Sequence, residues 1–149
     1  MTNDMSNDTT NELQRLGRLV GTWDVSGGAT GTTTFEWMDG GHFLVQRGRL
    51  DHDGHEGRMT EIIGYEHPFG GERGTEVKSR VYDADGNTLD YVYELAGDEL
   101  TIWGGFKGSP GHFKGVFTDN GNRLTGDWVY PGGGYHATMV RTAASRSDR

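Results

Sequence analysis

The spacing of apolar residues changes once along the chain, from a helical period to a strand period. In the first segment the apolar positions that share one helix face are Leu13, Leu16, Leu19 and Val20. Thr9 and Glu12 have the spacing of a capping box. The pattern therefore predicts one short amphipathic helix, which Gly17 weakens and Gly21 ends.

After Gly21 the period is two, and turn signals recur at short intervals. The signals are Gly27-Gly28, Asp39-Gly40-Gly41, Asp53-Gly54, Gly70-Gly71, Asp85-Gly86-Asn87, Gly97-Asp98, Gly108 to Gly111, Asn120-Gly121-Asn122 and Gly132-Gly133-Gly134. Nine turns separate ten strand-like segments. Tyr91 and Tyr93 alternate with Asp90 and Glu94, which is typical of a strand with one buried face. Short links between such strands predict an antiparallel meander.

A closed sheet is the expected form of this meander, because an open sheet of ten strands leaves two unpaired edges and an uncovered apolar face. The fold class is thus all-β: a closed antiparallel up-and-down β-barrel of about ten strands with one N-terminal capping helix. A barrel of this strand number has more interior space than its own side chains need to fill. The chain is expected to hold a single domain over residues 9–142, with disordered ends at 1–8 and 143–149.

Composition and charge mainly exclude partners. The 149 residues include 26 glycines and 3 prolines, which fits many strands joined by tight turns. The formal net charge is -8 and no basic stripe is present, which argues against nucleic acid and against anionic membrane surfaces. The chain has no cysteine, no signal peptide and no long apolar run, so we expect a cytoplasmic protein without membrane insertion.

Two positions at the ends of the meander carry a family resemblance. Trp23 lies in a Gly-Thr-Trp at the start of the first strand, and Arg141 lies in the last strand. The pair resembles the calycin superfamily, which includes lipocalins and fatty-acid-binding proteins, where such residues pack together and close one barrel end. A guanidinium can stack on an indole and donate to strand-end carbonyls, so the resemblance implies a structural role for both.

Two branches of that superfamily are the most similar. The segments "LVGTWDVSG", "FEWMDGGHFLVQR" and "GDWVYPGGGYHATMVRT" resemble bacterial lipocalin-like domains whose function is undefined. Nitrobindin, a ten-stranded haem barrel, is similar in that His136 stands where its haem-ligating histidine is expected. The glycine run here lacks the Tyr-Pro ending of nitrobindins. Moreover, if Arg141 points inward, strand alternation leaves His136 outside.

Strand alternation also predicts which side chains face the lumen. The predicted ligand-binding residues are Phe35, Trp37, His42, Gln46, Tyr91, Tyr93, Phe106, Trp128 and Tyr130. Aromatic rings with a few hydroxyls are typical of a site for a mostly apolar molecule. His42 and Gln46 are included as polar contacts because alternation places them on the same face as Leu44.

Metal binding and catalysis are weaker interpretations of the sequence. His52 and His55 lie among acidic residues, but in a hairpin loop that does not preorganise ligands, so no metal site is predicted. Gln46 or Arg47, together with Glu61 and the two tyrosines, would form an acid-base set, but a solvated Glu and Arg on the barrel surface is the ordinary explanation.

The sequence thus predicts the binding of a small hydrophobic molecule in the lumen, with no resident cofactor expected. The alternatives are a cofactor-independent enzyme of isomerase or cyclase type, and a nitrobindin-like ferric haem protein with His136 as ligand. Whether the protein is an enzyme stays open, and no catalytic residue is assigned. Trp103, if it faces outward, would indicate a homodimer surface.

Overall fold

The chain forms a closed barrel of ten antiparallel strands in a computed structural model that describes residues 12–142. The helical elements are α1 (Glu12–Arg15) and a 3₁₀ turn (Leu16–Leu19). The strands are β1 (Gly21–Gly27), β2 (Ala29–Trp37), β3 (Phe43–His52), β4 (His55–Tyr65), β5 (Val77–Asp83), β6 (Thr88–Ala96), β7 (Glu99–Gly104), β8 (His112–Thr118), β9 (Arg123–Tyr130) and β10 (Gly133–Arg141). Each strand pairs with its neighbour in sequence, and β1 pairs with β10 to close the sheet.

The predicted barrel, its ten strands and its nine turns are therefore confirmed. The β3–β4 turn shows the physical basis, since Asp53 and Gly54 have φ of 53° and 78°. Positive φ at both central residues is the type I′ geometry that matches the twist of a hairpin, and Asp-Gly adopts it readily. Thr9 and the expected disordered ends, 1–8 and 143–149, lie outside the described residues.

The predicted short N-terminal helix is confirmed, and its second half is a 3₁₀ turn rather than α-helix. It is α-helical only to Arg15, continues as 3₁₀ to Leu19, and leads directly into β1 at Gly21. Its buried side chains are Leu13, Leu16 and Leu19. The Glu12 carboxylate accepts a hydrogen bond from the Leu95 N–H at 3.1 Å, which ties the helix to the end of β6.

The helix covers one end of the barrel, which is here called the closed end. The side chains buried there include Leu16, Leu19, Trp23, Leu44, Ile63, Leu95, Leu100 and Phe117. The opposite end, here called the open end, carries the β1–β2, β3–β4, β5–β6, β7–β8 and β9–β10 connections. In the described part of the chain, no helix is long and apolar enough to cross a membrane.

Arg141 holds the closed end together. Its guanidinium lies 4.2 Å from the centre of the Trp23 ring and donates to the carbonyls of Val20, Arg18 and Gly121. Its Nε donates to the Asn122 side chain at 3.0 Å. Because the acceptors come from both the segment before β1 and the β8–β9 turn, the Arg141 side chain connects the last strand to the start of the first strand and to the neighbouring turn at the closed end.

Replacing Arg141 with Met is expected to lower the free energy of unfolding by about 3 kcal/mol or more, because hydrogen bonds to charged groups contribute about 1.5–3 kcal/mol each and the carbonyls lose their donor. Urea denaturation followed by circular dichroism measures the change. Arg123→Met, at an exposed position of β9 near the same end, is the matched control and should change stability by less than about 0.5 kcal/mol. Equal losses in the two variants would contradict this role of Arg141.

Candidate functional site

The barrel encloses a cavity of about 480 Å³ whose lining residues run from the open end toward the closed end. Its volume falls in the range of small-molecule pockets, roughly 300–1,000 Å³. Its lining comes from the inward positions of all ten strands, from Val25 on β1 to Met139 on β10, with Leu19 of the 3₁₀ turn below. The cavity is therefore the barrel lumen itself.

Hydrogen-bonded polar side chains on β2 to β6 form a continuous row across the inner surface, here called the polar wall. Its members, in strand order, are Thr33, Gln46, Glu61, Ser79 and Tyr93. Thr33 Oγ1 donates to Gln46 Oε1 at 2.7 Å, and Gln46 Nε2 donates to Glu61 Oε1. Neighbouring inward positions on adjacent strands are close enough for direct side-chain contact, so the barrel register produces the row from β2 to β5. The longer Tyr93 side chain reaches past β5 to Glu61.

Glu61 is the centre of the polar wall. Its side chain is buried, and Glu61 Oε2 accepts hydrogen bonds from Ser79 Oγ at 2.6 Å and from the Tyr93 hydroxyl at 2.8 Å. Burial raises the pKa of the Glu61 carboxyl, while the hydrogen bonds from Ser79, Tyr93 and Gln46 oppose that rise. The same burial and the nearby carboxylate raise the pKa of Tyr93, which keeps its hydroxyl protonated and donating.

The polar wall accommodates both protonation states of Glu61. With the carboxylate ionised, Gln46 donates to it and accepts from Thr33. With the carboxyl protonated, a flipped Gln46 amide accepts from Glu61 and donates to Thr33, whose hydroxyl then donates to the Arg47 carbonyl 3.2 Å away. Every side chain of the polar wall keeps a hydrogen-bond partner in both protonation states of Glu61. Glu61 can therefore gain or lose a proton without leaving a buried polar group unsatisfied.

The opposite side of the lumen is apolar. The inward side chains of β7 to β10, here called the apolar wall, include Ile102, Phe113, Leu124, Trp128 and Met139. A Cβ on Gly115 would lie 2.7 Å from the Phe113 ring. Because glycine has no side chain, the Phe113 ring can lie against the backbone of β8 at this position. Since β9 lies five strands from β4 in a ring of ten, the apolar wall faces Glu61.

Tyr91 lies between the two walls. Its ring meets the Trp128 ring edge-on, with centroids 5.9 Å apart, and its hydroxyl has no hydrogen-bond partner within residues 12–142. Burial and the charge of Glu61 raise the pKa of Tyr91 to about 12. The Tyr91 hydroxyl is therefore protonated and can both donate and accept a hydrogen bond at the cavity surface. No residue within 12–142 makes a hydrogen bond with it.

The open end is polar and partly closed by rings. His52 stacks on Tyr135 with centroids 4.3 Å apart, and its Nδ1 contacts the Gly28 carbonyl at 2.8 Å. Arg58 and Asp83 also line this end. No group of three or more histidine, aspartate or glutamate side chains within residues 12–142 has the geometry to hold a metal ion, so the loop around His52 and His55 forms no such cluster.

Five of the nine predicted ligand-binding residues line the cavity, and the structure brings them together. They are Phe35, Gln46, Tyr91, Tyr93 and Trp128. Of the acid-base set, Glu61 and the tyrosines point inward with Gln46, whereas Arg47 points outward and pairs with Glu36 at 2.9 Å. The prediction that Glu61 is a solvated residue on the barrel surface is wrong, because its side chain is buried. The same prediction for Arg47 is confirmed by its exposed side chain.

The other four predicted residues lie away from the cavity, which corrects the expected lumen wall. Trp37 has the inward parity but sits at the closed end, where its ring packs against Gly17 of the 3₁₀ turn. His42 is exposed in the β2–β3 connection at that same end. Phe106 and Tyr130 lie at the rim of the open end, with 60% and 42% of their surface exposed. Alternation indicates a strand's face but not the height of a residue along the barrel.

The position of His136 bears on the haem alternative. His136 is on the outer face of β10, exposed, and its Nδ1 lies 2.9 Å from the Asp127 carboxylate. Arg141, Met139 and Ala137 take the inward positions of that strand, as the parity argument predicts. A haem in the lumen would have no ligand at His136, so the residues present do not fit the nitrobindin arrangement.

Glu61 is the residue of the candidate site whose position the sequence analysis predicted wrongly. A signal for it exists, because Glu61 shares its strand face with Met59, Ile63 and Tyr65, whose spacing of two marks an inward face. Trp103 faces outward, its indole N–H donates to Glu94 at 2.9 Å, and its ring packs on His112. These contacts within the chain already use the indole, so its outward position is not evidence for a homodimer, which stays a prediction.

Fold and site together define a class of protein: a closed ten-stranded antiparallel barrel whose lumen holds a buried acid, Glu61, opposite an apolar wall. No family model matches the sequence, and no curated protein is significantly similar to it. The description of the class therefore depends on the geometry alone.

Glu61→Gln is expected to change how stability depends on pH. The folded carboxyl has a raised pKa, so between the unfolded value near 4.5 and the folded value the native state binds a proton that the unfolded state has released. The free energy of unfolding of the wild type should therefore fall relative to Glu61→Gln as pH rises through that window, by about 1.4 kcal/mol per pKa unit. Urea titrations from pH 4 to pH 9 measure this.

The matched control is Thr60→Ala, the adjacent outward position of β4, which changes no ionisable group. Its stability curve should run parallel to that of the wild type. A Glu61→Gln curve that is also parallel to the wild type would show that the Glu61 carboxyl titrates alike in the folded and unfolded states.

Proposed function

We propose that the protein binds a small, mostly apolar molecule with one polar end in the barrel lumen. The observation that carries the proposal is the lumen itself, a cavity of about 480 Å³ that the protein's own side chains leave unfilled. Cavities cost stability in a core that has only a structural role, so an unfilled lumen in so regular a barrel favours a ligand.

The two walls supply different parts of the interaction. The apolar part of the ligand packs against Ile102, Phe113 and Trp128, and its burial drives binding at roughly 25 cal/mol per Å². The polar end meets the Tyr91 hydroxyl and the Glu61 carboxyl on the other side. The resemblance of Trp23 and Arg141 to the closing pair of calycins supports the same reading, because lumen binding is the usual role of that superfamily.

A proton-transfer enzyme is the second candidate, and the environment of Glu61 favours it. Burial raises the pKa of the Glu61 carboxyl, so it holds a proton more readily than a solvated glutamate, and the polar wall keeps its groups paired in either state. An enzyme of this kind would act on the molecule that the lumen binds, so ligand binding is common to both candidates.

Native mass spectrometry of freshly purified protein, compared with the same sample denatured, separates the two candidates. A mass that is lost on denaturation supports a carrier and gives the mass of its ligand. Apoprotein alone, in a protein that still binds added apolar molecules, supports an enzyme whose substrate leaves quickly.

A large side chain introduced into the lumen should weaken the binding of an apolar ligand. Ala137 is buried on the inner face of β10, so Ala137→Trp places an indole inside the cavity. We expect the affinity for 1-octanol, measured by isothermal titration calorimetry, to fall at least tenfold. His136→Trp adds the same side chain at the next position on the outer face and should leave the affinity within about twofold. Binding that is equally strong in both variants would place the alcohol outside the lumen and contradict the proposal.

A further inference from the structure

The charged groups of the cavity are distributed unevenly. In the interior the acid is Glu61, whose carboxyl oxygens accept three hydrogen bonds as a carboxylate would, and the lining contains no lysine among the residues that the structure describes. The one arginine of the lining, Arg58, belongs to the open end and has 61% of its side chain exposed. The carboxylate of Asp83, at that same end, accepts hydrogen bonds from the backbone N–H groups of Asp85 and Asn87. The histidines of the lining, His52 and His55, also belong to the open end, so within residues 12–142 the interior has an acid and no basic side chain beside it.

Acceptor capacity also remains next to that acid. An ionised carboxylate has about four lone-pair positions, and Glu61 uses three of them for Gln46, Ser79 and Tyr93. Among residues 12–142 the donor to Glu61 Oε1 is Gln46 alone, which leaves an acceptor position on that oxygen. The Tyr91 hydroxyl, which has no partner in the described chain, adds a second acceptor at the cavity surface.

A ligand that matches these groups must donate hydrogen bonds and must not bring negative charge. A carboxylate ligand would place a second anion beside Glu61 with no cation to separate them, which is unfavourable in a buried site. An ammonium group has three donors and no acceptor, so it complements a carboxylate and a hydroxyl oxygen together. It also compensates the buried negative charge, which a neutral alcohol does not.

We infer that the lumen takes an amphiphilic primary amine, with its ammonium group on Glu61 and Tyr91 and its hydrocarbon part against the apolar wall. The inference rests on the proposed function and specifies the ligand class of that same site. The net charge of -8 works in the same direction, because it attracts cations and repels anions at a distance.

Three eight-carbon probes test the inference on the unmodified protein: octylamine, 1-octanol and octanoate, titrated calorimetrically at pH 7. Their chains are equal, so differences in affinity report on the head group. At this pH the amine is a cation and the acid an anion, by analogy with lysine and glutamate side chains. We expect octylamine to bind at least tenfold more tightly than 1-octanol, and octanoate to bind most weakly.

The possible failures are distinguishable. Octanoate or 1-octanol binding as tightly as octylamine overturns the amine inference and leaves lumen binding intact. If none of the three probes binds, the proposed function fails together with the inference. The wild-type series decides these outcomes without any substitution, so it stands even if a variant does not fold.

Two substitutions locate the selectivity. Glu61→Gln should reduce octylamine affinity at least tenfold, to the level of 1-octanol, with 1-octanol affinity unchanged within about twofold. Glu36→Gln removes the same charge from β2 at an exposed position that pairs with the outward Arg47, and should leave both affinities unchanged within about twofold. An equal loss in the two variants would assign the preference to the net charge of the protein and overturn a direct contact with Glu61.

Discussion

The hydrogen bonds and stacking of Arg141 are the interaction on which the rest of this barrel depends. Pairing of β1 with β10 closes the sheet, but it does not seal the end of the tube. The guanidinium does this by stacking on Trp23 and donating to the helix–β1 link and to the β8–β9 turn. With the helix fixed over that end, apolar packing is concentrated there, and the remaining length of the lumen can stay open without loss of the fold.

The sequence was a reliable guide to the fold because two local signals agree throughout. A period of two gives the strands, and glycine with aspartate or asparagine gives the turns, so the neighbours in the sheet follow from chain order. The same alternation placed Phe35, Tyr91, Tyr93 and Trp128 in the lumen correctly. It failed for Trp37 and Tyr130, because the height of a residue along the barrel depends on the stagger of all ten strands, which no local pattern encodes.

The candidate site was harder to predict because its chemistry lies in contacts between strands. Gln46, Glu61 and Ser79 are on three strands, and each is an ordinary polar residue within its own segment. Only the register brings their side chains together and withdraws the carboxyl from water. A glutamate between apolar neighbours can be a solvated residue on an outer face or a buried acid on an inner one, and the difference is a single step of alternation.

The distribution of the four tryptophans has a practical consequence. Trp23 is held beneath a guanidinium, Trp37 packs under the helix, and Trp103 is hydrogen-bonded to Glu94 on the outside. Trp128 alone among them borders the cavity, in contact with Tyr91 and Phe113. The indole emission of this chain thus combines three signals from settings remote from the lumen with one signal from inside it. The barrel carries an intrinsic optical reporter at the place where an occupant would change the polarity.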